Sequence, residues 1–151
     1  MKTFIVVIML FFVPDLMARP YNKPECIDDY IHGAQTEKVA QNIVKLCGKL
    51  FTTDGSYSDT INCFLENADR IRIDRLIENF LGVCFMEHSS DAQINKVLFD
   101  GTGSSKDIDK AQDLSDCVRD LIDVKTNVAF EHELEKCKKK YELKLEKELF
   151  K

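Results

Sequence analysis

The chain has no tryptophan, only six glycines and only three prolines. The last proline is Pro24, so nothing from Glu25 to Lys151 carries the residue that breaks helix interiors. No Asn-x-Ser/Thr sequence occurs, which removes N-linked glycosylation. No Cys-x-x-Cys pair occurs either, which argues against a zinc site or a thioredoxin-type redox centre. Positive charge is in deficit: 21 Lys and Arg against 26 Asp and Glu give a net charge of −5. A nucleic-acid partner needs a clustered basic excess, so that class is set aside. Only one long apolar run exists, and it lies at the very start.

That run is Thr3 to Val13, preceded by Met1-Lys2 and broken by Pro14-Asp15. Leu16-Met17-Ala18 follows and ends on a small residue. A short positive segment, an apolar stretch and a small-residue site form the secretory signal pattern. The stretch is too short to span about 30 Å of hydrocarbon. The expected organisation is a signal peptide over 1–18 and one disulfide-stabilised helical domain over 19–151. The mature protein is then secreted and extracellular, with no membrane span. A chain of 151 residues suits one domain.

What the sequence does have is six cysteines: Cys26, Cys47, Cys63, Cys84, Cys117 and Cys137. An even number in a secreted chain predicts a disulfide framework. Taken in order they fall into pairs 21, 21 and 20 residues apart. Near the middle of each interval stands a residue suited to capping a helix: Thr36, Asp74 and Asn127. Each segment therefore reads as helix, turn, helix. About ten residues of helix rise about 15 Å, so the two cysteines return to equal height in an antiparallel hairpin. The expected fold is all-α: a small secreted helical bundle of three αα-hairpins, each stapled by its own disulfide. Pairings that cross between segments are the alternative.

Apolar spacing of three and four supports helices throughout. The first runs from Glu25 to His32 and the second from Thr36 to Phe51, with Val39, Ile43, Leu46, Cys47 and Leu50 as its stripe. A third starts at a Ser58 cap, a fourth follows Asp74, and a short fifth is capped by Ser90. Gly101 to Ser105 reads as a flexible connector, Lys106 to Val124 as a sixth helix, and Val128 onward as a seventh. The seventh carries a basic stretch from Lys136 to Lys140.

Catalytic patterns are missing. Gly-x-Ser-x-Gly does not occur, and Gly101 to Lys106 lacks the Gly-Lys-Ser/Thr ending of a phosphate loop. The three histidines stand on separate segments, and His132 with Glu135 makes only half a metal site. No enzyme activity, metal or cofactor is expected.

At the level of broad class the chain resembles the odorant-binding proteins of insects, which are secreted, acidic, helical and carry six cysteines. That family spaces its second and third, and its fifth and sixth, cysteines far more closely than the 16 and 20 residues found here. Its pairing and ligand residues are therefore not carried over.

The expected function is non-enzymatic binding. One reading is a carrier holding a small hydrophobic ligand between its helices, walled by Phe64, Phe80, Phe85, Phe99 and Phe130. The alternative is an extracellular effector of venom or salivary type that binds another protein through an exposed helix face. Tyr141, Leu145 and Leu149 on the last helix are its candidate contacts.

Overall fold

A computed structural model describes residues 22–51 and 57–141. Seven α-helices and no strand occur among the described residues: α1 (Lys23–Ile31), α2 (Glu37–Leu50), α3 (Ser58–Glu66), α4 (Asp74–His88), α5 (Asp91–Leu98), α6 (Ser105–Arg119) and α7 (Asn127–Tyr141). A single 3-10 turn, Ala68–Arg70, follows α3. The proposed signal peptide over 1–18 lies outside the described residues.

The three hairpins form as the cysteine spacing predicts. Cys26 bonds Cys47, Cys63 bonds Cys84 and Cys117 bonds Cys137, with Cα atoms 5.8, 5.6 and 5.9 Å apart. These separations need helices in close contact, and α1–α2, α3–α4 and α6–α7 are packed pairs. A repeat sits beneath this. The second helix of each hairpin begins ten residues before its cysteine: Glu37 before Cys47, Asp74 before Cys84, Asn127 before Cys137. Ten residues place the staple almost three turns from the hairpin bend in all three units.

α4 is the central helix. It packs against α3, α6 and α2. Nine of its fifteen residues are buried, which is why it is apolar nearly all round rather than striped. The outer helix α2 shows the stripe expected of a half-exposed element, with Val39, Ile43, Leu46 and Cys47 buried. One continuous core joins the hairpins.

Helix starts follow local chemistry. Asn22 caps α1 by accepting from the Glu25 N–H at 3.1 Å, with Pro24 in the first turn, where its missing N–H is harmless. Thr36 caps α2, accepting from Val39 N–H at 3.2 Å while its hydroxyl donates to Asp74 Oδ1 at 2.8 Å. One hydroxyl thus ties the start of α2 to the start of α4. Asp74 is the first helical residue of α4 rather than its cap, which is Ile73. α3 likewise begins at Ser58, with Tyr57 in the cap position and no side-chain capping bond. Thr126, not Asn127, caps α7 by accepting from Ala129 N–H at 3.2 Å. Ser90 caps α5 in a reciprocal box with Gln93, as its sequence position suggests.

Two expectations need correction. α6 ends at Arg119, five residues before Val124. The chain then continues in turns bonded three residues back, such as Ile122 N–H to Arg119 O at 3.1 Å, which keep Leu121 and Ile122 buried. The apolar periodicity runs on through the bend although the α-helix does not. The segment Gly101 to Ser105 is a pinned turn rather than a flexible connector. Asn95 donates to Gly103 O at 3.0 Å and accepts from Gly103 N–H at 2.8 Å. Gly101 adopts φ 85°, and its N–H reaches Asn95 O at 3.0 Å, closing α5 in the manner of a left-handed helix stop. Ser104 and Asp107 then form a reciprocal cap that opens α6.

Candidate functional site

The five phenylalanines named as a ligand wall all lie in the core. Phe64 and Phe130 are 0% exposed, and Phe80, Phe85 and Phe99 do not exceed 8%. All five belong to one buried cluster, and Phe80 also borders a depression at the surface. Phe99 lies against the Gly103 backbone so closely that a Cβ there would fall 2.7 Å from its ring. Phe85 meets Tyr57 with ring centroids 6.5 Å apart, a tilted aromatic pair.

Large apolar side chains do reach the surface elsewhere. Val44 is 39% exposed, Phe51 42%, Tyr57 46% and Val128 83%. Val44 and Phe51 are seven residues apart, so they share the outer edge of α2, beside its buried stripe. The sequence pattern does not single out this pair, because Val44 lies just off the stripe of Val39, Ile43, Leu46, Cys47 and Leu50 and Phe51 stands at the helix end.

Two depressions flank the seam between α4 and α6. The larger, about 350 Å³, is bordered by Arg70, Glu87, Arg119, Asp120 and Asp123, with Phe80 at its wall. The smaller, about 220 Å³, is bordered by Met86, Glu87, Gln112, Ser115, Asp116 and Arg119. Glu87 and Arg119 border both and are paired at 2.8 Å, so their ion pair divides one depression from the other. Arg119 also reaches Asp116 at 3.5 Å. Arg70 holds Asp123 through two nitrogens, at 2.8 and 3.4 Å. That guanidinium holds the Asp123 carboxyl below the usual carboxylate range. Farther along, Arg75 pairs with Glu131 at 3.1 Å. The bridges Arg70–Asp123, Arg119–Glu87 and Arg75–Glu131 join the hairpin α3–α4 to the hairpin α6–α7. Two buried atoms at the depressions lack a hydrogen-bond partner: Ser115 Oγ and Arg119 Nε.

Tyr141, the described member of the candidate contacts on the last helix, is partly buried against the core. Lys140 Nζ lies 5.0 Å from its ring centroid, within cation–π range. Leu145 and Leu149 lie outside the described residues. Among the described residues, Cys63, Glu87 and His88 bring three metal-ligand atom types together. The Cys63 sulfur is spent in the bond to Cys84, so it offers no thiolate to a metal. His132 and Glu135 acquire no third ligand from another helix among the described residues. No helix among the described residues is long and apolar enough to cross a membrane.

Comparison with protein-family models, curated proteins and solved structures finds no match to this chain.

Proposed function

We propose that the chain is a secreted, non-enzymatic binding protein that grips another extracellular protein through exposed helix surface. The observation that carries this reading is the division of its aromatic surface. The five phenylalanines that a hydrophobic-ligand carrier would spend on a cavity are packed in the core, while Val44 and Phe51 stand at the outer edge of α2. Large apolar side chains surrounded by charge are the usual anchors of a protein interface. Three disulfides and the apolar run Thr3 to Val13 support an extracellular setting. Tyr141, Leu145 and Leu149, at helical apolar spacing in the sequence of the last helix, are the further candidate contacts.

Photo-crosslinking residues placed at 44, 51 and 145 test the reading on the protein incubated with the extracellular fluid of its source. A discrete crosslinked protein from position 44, 51 or 145, with none from the exposed control position Lys38, is the expected result. Equal labelling from all positions, or none from any, overturns it.

A further inference from the structure

We propose that the α4–α6 seam is a binding site for a protonated primary amine with an oxygen acceptor beside it. An amino-acid amide and the first residue of a peptide chain both carry this pattern. The charge balance comes first. The smaller depression is bordered by Glu87 and Asp116 against only Arg119, two negative groups to one positive. Arg119 is shared between these two carboxylates. The excess carboxylates call for a cation and disfavour an anion.

The hydrogen-bond balance is a separate observation. Ser115 is 2% exposed, borders the smaller depression, and its Oγ has no partner. Arg119 Nε, buried at the ion pair that divides the two depressions, has none either. Both carry a proton to donate, and a buried donor without an acceptor is unstable. An amine alone would satisfy the carboxylates and leave these two unmet. A carbonyl or hydroxyl oxygen next to the amine accepts from Ser115 and Arg119 while the ammonium turns to Glu87 and Asp116. Met86 supplies apolar wall for a ring or short aliphatic body. The smaller depression, about 220 Å³, lies below the range of drug-sized ligand sites and suits a molecule of amino-acid size. This site is independent of the α2 edge, so either can fail while the other stands.

Isothermal titration of the oxidised protein with L-phenylalaninamide is the test. Saturable binding with Kd below about 1 mM is expected. N-acetyl-L-phenylalaninamide, which lacks the charge, and phenethylamine, which lacks the acceptor, should each bind at least about tenfold more weakly. A tripeptide with a free amino-terminal phenylalanine distinguishes the sources: binding as tight as the amide assigns a peptide terminus, and weaker binding assigns a free small amide. Ser115→Ala should weaken the amide about tenfold while leaving Tm unchanged or raised, because it removes an unpartnered hydroxyl. Asp116→Asn, at an exposed position, should weaken it as well. No saturation by about 10 mM, equal binding of the acetylated amide, or unchanged affinity in Ser115→Ala would overturn the proposal.

Discussion

Replacing Phe64 or Phe130 by alanine separates a filled core from a lined cavity. Both side chains are fully buried, Phe64 on α3 and Phe130 on α7. If the ring fills packed space, its removal forfeits a transfer term of about 2 kcal/mol. The hole left behind, about 100 Å³ if the surroundings do not relax, adds about 2.4 kcal/mol. The loss is then about 4 kcal/mol, inside the range seen for large-to-small changes at buried aromatics. For the roughly 115 described residues, an unfolding entropy of about 2.1 cal/mol/K per residue gives about 0.24 kcal/mol/K. The melting temperature should therefore fall by about 17 °C for each variant. Calorimetry and urea unfolding with the disulfides intact measure both quantities. A ring lining an open ligand chamber has little packing to lose. A loss below about 1 kcal/mol at both positions would refute the packed-core reasoning.

The staples yield a second prediction. Loops of 21, 21 and 20 residues should each contribute about 3 kcal/mol in the chain-entropy account, so the three paired Cys→Ala variants should lose nearly equal stability in urea. A loss confined to one pair would show that native packing, not loop closure, sets the contribution. Gly103→Ala should cost about 1–3 kcal/mol, since its Cβ would fall 2.7–2.9 Å from Phe99 atoms; an unchanged urea midpoint would contradict the pinned turn. Hydrogen bonds from the Ser104 hydroxyl and backbone N–H hold Asp107 below the usual carboxylate range. Its contribution is therefore present at neutral pH and is lost as pH falls through the folded pKa. Ser104→Ala should flatten the stability–pH curve in that acid window, and an unchanged curve would contradict the assignment.

The hairpins were legible because a disulfide and a helix impose fixed lengths together. Intervals of 21, 21 and 20 residues leave room for two helix arms and a bend, and the bends fall where capping residues stand. Cap positions were legible only to within a residue. At Asp74 and Asn127 a good capping residue sits beside the true cap, and Asp74 instead accepts the Thr36 hydroxyl from another hairpin. The end of α6 was hidden because Leu121 and Ile122 keep the helical apolar rhythm through a bend that buries them. The turn over Gly101 to Ser105 is held by Asn95, eight residues before Gly103, and composition alone does not register such a bond. The α4–α6 site was invisible for a related reason. Glu87, Ser115 and Arg119 are ordinary polar residues until two helices bring them to one seam.

Native mass spectrometry of the protein from its native source, before and after extraction with an apolar solvent, tests most directly whether the aromatic interior is filled by the chain itself. The expected mass is that of the polypeptide alone less six hydrogens for three disulfides, unchanged by extraction. An excess mass that the apolar solvent removes would contradict the filled core and establish a carrier of a hydrophobic ligand.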